Sequence, residues 1–189
     1  MTQIKRETKE TKIEISVELN GSGKYNISTG IGFFDHMLET LSKHSGIDME
    51  IFCEGDIDVD FHHTVEDVGI VLGEALHKEI FPISNIERFS NAVAILDEAA
   101  VECDLDIGGR PYLVYELPLE GSVREFDMEL VEEFFKSLAF NFKIAVHLIM
   151  KRGKNRHHIV ESAFKSFAVA LRRGLEYRID ETPSTKGVL

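Results

Sequence analysis

From Ile13 to Leu19 hydrophobic and polar residues alternate with period two, which predicts a strand with one buried face. Asn20-Gly21-Ser22-Gly23 is turn-forming, and Tyr25 to Thr29 then reads as a returning strand, so a hairpin is expected. Between Phe33 and His44 the apolar residues Phe34, Met37, Leu38 and Leu41 fall at helical spacing, and Gly46 supplies a stop. Ile47 to Glu54 alternates again, and His62 to Phe81 carries a long helical pattern ended by Pro82.

The second half runs in the same order. Ala92 to Ile107 and Tyr112 to Leu117 read as strands around the turn Gly108-Gly109-Arg110-Pro111. Asp127 to Phe142 is helical, Ile144 to Met150 strand-like, Gly153-Lys154-Asn155 a loop, and His157 to Tyr177 a long amphipathic helix. Each half therefore reads strand, strand, helix, strand, helix. The sequence His62-His63-x-x-Glu66 also recurs 95 residues later as His157-His158-x-x-Glu161. Internal duplication explains both repeats at once. The expected fold is α+β: an internally duplicated two-layer sandwich in which each half is a small β-sheet covered by two helices. Residues 1–90 form the first half. Residues 91–189 form the second, with a polar, loop-like tail from Glu181 to Gly187 as a substrate-binding segment.

Composition narrows the function. The 189 residues carry a net charge of -12, so a nucleic-acid partner is not expected. No apolar stretch reaches the length of a membrane span, and the first residues contain no leader-like apolar region. Cys53 and Cys103 lie in separate strand-like runs without metal-type spacing, and read as buried free thiols of a cytoplasmic protein.

Residues four apart share a helix face, so Glu66 lies beside His62 and Glu161 beside His157. Adjacent histidines diverge by roughly 100° around the axis, so one helix can offer an imidazole to each of two ions. Two HHxxE matches arise by chance on the order of once in a thousand such sequences, which favours metal binding over two solvated surface pairs. Mixed imidazole and carboxylate donors suit Mn, Fe, Co, Ni or Zn. His36, 26 residues before His62, and Glu133, 24 residues before His157, form a pseudo-symmetric pair of further ligands. His147 is either a ligand or a packed histidine; His44 and His77 read as surface. Lys165 follows Glu161 by four residues and falls on the metal face. It joins Arg88, Arg110, Ser184, Thr185 and Lys186 as a candidate phosphate contact. Candidate acid–base carboxylates are Glu10, Asp97 with its neighbour Glu98, and Glu161. No nucleotide-binding glycine loop is present, and no organic cofactor is expected.

Several segments together resemble the imidazoleglycerol-phosphate dehydratase family of histidine biosynthesis. They are Gly30-Ile31-Gly32-Phe33-Phe34-Asp35-His36-Met37-Leu38, His62-His63-Thr64-Val65-Glu66-Asp67, Gly109-Arg110-Pro111-Tyr112-Leu113, His157-His158-x-x-Glu161-x-x-Phe164-Lys165 and Lys186-Gly187-Val188. The resemblance runs from about Arg6 to the C-terminus. It implies halves of the ribosomal protein S5 domain 2-like type and two Mn2+ per site, shared between neighbouring chains of a hollow 24-subunit homo-oligomer. It implies His36, His62, His63, Glu66, His157, His158 and Glu161 as metal ligands. Arg88, Arg110, Lys165, Ser184 and Lys186 become phosphate contacts, and Glu10 a catalytic carboxylate. The chain departs from the family pattern at Glu133, where many relatives carry His, and at Thr40, Phe61 and Thr185.

The reaction so implied removes water from D-erythro-imidazole glycerol 3-phosphate to give imidazole acetol phosphate. Two ions would hold the ring as an imidazolate, the neighbouring hydroxyl would leave through a diazafulvene-like intermediate, and an enol would become the ketone. The residues alone leave two alternatives: a dinuclear metallohydrolase acting on a small phosphoester, and a metal-storage or sensor protein.

Overall fold

Ile13, Ile15 and Val17 are buried on one side of strand β2 (Thr11–Glu18), as their alternation requires. The computed structural model describes residues 1–81, 85–177 and 184. The first half consists of β1 (Thr2–Glu7), β2, β3 (Tyr25–Ser28), α1 (Gly32–Ser45), β4 (Asp48–Gly55) and α2 (His62–Ile80). The second consists of β5 (Phe89–Leu96), β6 (Ala99–Asp106), β7 (Tyr112–Glu116), α3 (Glu129–Phe142), β10 (Ala145–Arg152) and α4 (Arg156–Gly174). A two-stranded ribbon, β8 (Ser122–Val123) with β9 (Phe126–Asp127), precedes α3.

The sheets have matching orders, β1-β2-β4-β3 and β5-β6-β10-β7. In each, the first three neighbours are antiparallel and the last strand joins in parallel. Helices α1 and α2 cover the first sheet, and α3 and α4 the second. The helices of one half then pack on those of the other, α2 on α3 and α1 on α4, giving one continuous core. This is the duplicated α+β arrangement expected from the sequence.

Two strand expectations need correction. Tyr25–Ser28 does not return along β2; it crosses to the far side of β4 and pairs there in parallel. The turn is tied to β4 instead, because Asp48 Oδ1 accepts the backbone N–H groups of Ser22 and Lys24 at 2.7 Å each. Ala92 to Ile107 is also not one run. Asp97, at φ +48°, folds it into the β5–β6 hairpin, so each half has one strand more than its pattern showed; β1 is the counterpart in the first half.

The α2–α3 crossing is in backbone contact. A Cβ at Gly69 would come within 3.0 Å of the Phe134 carbonyl oxygen, and one at Gly73 within 2.7 Å of that of Leu138. His44 and His77, expected at the surface, are half-buried: the His77 Nδ1 lies 3.1 Å from the Phe142 carbonyl. His147 stands on the outer face of its sheet, opposite the buried Val146 and Leu148. No helix among the described residues is long and apolar enough to cross a membrane.

Burial pushes the Cys53 thiol up to about 12, and that of Cys103 well above the ordinary value. Neither is in a disulfide. At pH 8 an aromatic disulfide reagent should titrate neither thiol in the native protein and both after denaturation. Rapid reaction of the native protein would show that the strands carrying them open locally.

Candidate metal centre

Helix α4 starts where Asn155 caps it, its side chain accepting the backbone N–H groups of His157 at 2.9 Å and His158 at 3.4 Å. One oxygen of Glu98, in the β5–β6 turn, accepts from the backbone of Lys154 and Asn155. The other lies 2.8 Å from His158 Nδ1. The Asn155 N–H, then His158 and Lys154, hold the Glu98 carboxyl down to about 2. The first half is built alike. Asp60 accepts from the His62 N–H at 2.8 Å, and His63 Nδ1 lies 2.9 Å from Asp56. The hydrogen bond to Asp56 raises the His63 pKa. Both second histidines are thus oriented through Nδ1, leaving Nε2 for another partner, which is the usual arrangement behind a metal-ligating imidazole. Asp56 has no periodic signature in the sequence, whereas Glu98 is legible there with Asp97 as a candidate acid–base carboxylate.

The first histidines turn elsewhere. His157 Nε2 lies 3.1 Å and His36 Nε2 3.3 Å from Glu161 Oε2, bringing α1 and α4 together across 125 residues of sequence. One donor atom from each of His36, His157 and Glu161 lies within 4.8 Å of the others, the only such group among the described residues. Lys165 Nζ sits 2.6 Å from the other Glu161 oxygen. Burial raises the Glu161 pKa, but the bonds from Lys165, His157 and His36 outweigh it, and the group stays below its ordinary value. Phe33 packs its ring edge-on to His157, 5.2 Å between centroids. In the first half His62 Nε2 and Glu66 Oε2 are 3.7 Å apart, while Glu133 lies 3.5 Å from Lys136.

Adjacent rings diverge as helix geometry requires. His62 and His63 stand at 87°, and His157 and His158 at 78°, with 6.2 Å between centroids in both pairs. Glu10 Oε1 lies 3.9 Å from His63 Nε2, and Asp97 Oδ2 3.9 Å from His158 Nε2. The two candidate acid–base groups therefore occupy equivalent places, each at a hairpin tip beside the second histidine of its half. Among the described residues, the phosphate candidates do not gather there. Arg88 Nε donates to Asp106 at 2.7 Å, at the end of β5 opposite Asp97, so a strand of roughly 25 Å separates it from His158. Arg110 is exposed in the loop before β7. Lys165 is engaged by Glu161. Ser184 is half-buried, and Thr185 and Lys186 lie outside the described residues.

A family model described as imidazoleglycerol-phosphate dehydratase matches residues 29–171. The chain belongs to that family. It is 76% identical to the imidazoleglycerol-phosphate dehydratase of Nautilia profundicola over 189 residues, covering all of both chains. It is 59% identical to that of Aliarcobacter butzleri over 190 residues, again covering all of both. Among solved structures, the dehydratase from Pyrococcus furiosus in complex with (S)-C348 matches with a TM-score of 0.86 and 37% identity, over 98% of this chain and 100% of that one. The Staphylococcus aureus enzyme matches with a TM-score of 0.83 and 36% identity, over 93% and 98%. The family's fold is thus the one built here from two matching halves.

Proposed function

We propose that this protein is a hydro-lyase of histidine biosynthesis that dehydrates D-erythro-imidazole glycerol 3-phosphate to imidazole acetol phosphate. The observation that carries the reading is the meeting of His36, His157 and Glu161 within 4.8 Å, inside the fold of this family. Two neutral imidazoles and one carboxylate are the donor chemistry of a divalent transition metal, so the residues fit the group. His36, His157 and Glu161 would hold one ion, and His62, Glu66 and Glu133 are the corresponding set for a second; manganese is the metal proposed. The chemistry such ions supply when bound is Lewis-acid capture of both nitrogens of an imidazole ring, holding it as its imidazolate.

The chain's own groups do the rest. Asp56 and Glu98, lying 2.9 and 2.8 Å from Nδ1 of His63 and His158, would accept a hydrogen bond from the Nδ1 proton and leave Nε2 for another partner. Because those rings diverge from the first histidines of each pair, the described residues of one chain do not bring all of these donors to one point. This supports sites shared between neighbouring copies; the assembly proposed, from the family resemblance alone, is a homo-oligomer of 24 subunits. Glu10 and Asp97 are the proposed proton carriers, a role supported by their lying 3.9 Å from those imidazoles. Arg88, Arg110, Lys165, Ser184, Thr185 and Lys186 are the proposed phosphate contacts. Unpaired buried thiols fit a cytoplasmic setting.

The test is chelation under anaerobic conditions, followed by Mn2+ restoration, with ketone formation and inorganic phosphate both measured. Dehydration should fall by about a hundredfold or more, return with Mn2+, and leave the phosphate ester intact. Released phosphate would favour a metallohydrolase. Turnover untouched by chelation would end the metal-dependent reading.

A further inference from the structure

We infer that Asp67 is a positioning residue for the proton carrier of this enzyme: with Arg6 and Thr11 it clamps the β1–β2 turn so that Glu10 stays beside His63. The inference rests on the reading of Glu10 as a proton carrier in the dehydration proposed above. Asp67 follows Glu66 on α2, and its side chain is only 9% exposed. One of its oxygens accepts from the Arg6 guanidinium on β1, and the other from the Thr11 hydroxyl at the start of β2. A carboxylate taken out of water needs such partners to offset its lost hydration. Both strands that flank the turn are thereby tied to the helix that carries His63.

Between those anchors the turn is braced from within. The Thr8 hydroxyl accepts the backbone N–H groups of Glu10 at 3.1 Å and Thr11 at 3.0 Å, and the Thr8 N–H donates to the Thr11 carbonyl at 2.9 Å. The Glu10 carbonyl accepts from the backbone N–H of Asp56 at 3.0 Å, the residue whose carboxylate faces His63 Nδ1. The Glu10 side chain itself is 54% exposed, 3.9 Å from His63 Nε2. So open a side chain is kept near its target by where its backbone stands. The duplication shows that the fold does not require this clamp. The residue after Glu161, in the place of Asp67, is Ser162, fully buried with no hydrogen-bond partner for its hydroxyl among the described residues. The β5–β6 turn, of Asp97 and Glu98 alone, is fixed instead by Glu98 on the N–H groups of Lys154 and Asn155. Helix α4 packs on β5 and β6 without a carboxylate at that place. The charge of Asp67 therefore serves the longer turn that carries Glu10.

The experiment uses the assembled, manganese-loaded protein. It compares Thr11→Val, which keeps the shape of the side chain and removes the hydroxyl, with Thr11→Ser, which keeps the hydroxyl. Thr11→Val should lower kcat by about tenfold or more with KM unchanged, and Thr11→Ser should restore it. Amide hydrogen exchange across residues 8–11 should quicken in the Val variant, while metal content by elemental analysis stays that of the parent. Asp67→Asn should repeat the pattern more strongly; if it does not fold, the threonine pair decides the question alone. Parent-like turnover in Thr11→Val, or unchanged exchange at the turn, overturns the inference and leaves Glu10 as the proton carrier. Metal lost together with turnover overturns it too, because Asp67 would then act through its neighbour Glu66. Full turnover in Glu10→Gln removes the proton-carrier reading, and this inference with it.

Discussion

Glu161→Gln is expected to leave a folded protein that has lost turnover by on the order of a thousandfold or more. An amide keeps the shape of the side chain but not its charge, and charge is what draws two imidazoles and a lysine to one point. Without it, Lys165 faces the rings of His36 and His157 with no anion between them. A metal at a reacting centre is worth several kcal/mol of charge stabilisation, and about 4 kcal/mol corresponds to a thousandfold in rate. The variant should also bind one fewer metal ion per chain by elemental analysis, while its far-ultraviolet circular dichroism stays unchanged. Retention of more than about a tenth of the turnover would remove Glu161 from the centre of the site.

The largest effect on stability is expected far from any ligand, at Gly73. A side chain there meets α3 at three atoms: the Leu138 oxygen at 2.7 Å, and Asn141 Cβ and the Phe142 nitrogen at 2.9 Å. These contacts are closer than real Cβ atoms tolerate, and most are to backbone, so the helices themselves must part. Gly73→Val should cost about 3 kcal/mol through overpacking, more than the few tenths recovered from helix propensity. For a chain of this length that lowers Tm by roughly 6–12 °C. Gly32→Ala is the control: a Cβ there meets nothing within 4 Å, and its melting should be unmoved. Equal melting of the Gly73 variant and the parent would mean that the crossing is less tight than described.

Legibility in the sequence followed the range of the interaction. The HHxxE faces are local, and helix periodicity alone showed which residues share them. The duplication also aligns His36 with Glu133, and each is the fifth residue of its helix. What failed was decided at longer range. Tyr25–Ser28 looked like a returning strand because turn residues precede it, yet Asp48, from another element, redirects the turn. The β5–β6 hairpin was hidden because Asp97-Glu98 carries no glycine or proline to mark it, the left-handed conformation falling on an aspartate. Glu98 and Asp56 orient histidines from loops, where no period exists to read. The pairing of half-buried Arg88 with Asp106 joins β5 to the end of β6, a long-range contact that no local pattern announces.

The β5–β6 turn touches both the start of α4 and the ring of His158 through a single carboxylate. That makes its length a fixed dimension of the machinery. Hairpin tips are usually where a chain accepts an insertion, an epitope or a new terminus. Here added residues would leave the sheet paired while swinging one imidazole off its aim, so this loop is a poor place to engineer and a sensitive gauge of alignment.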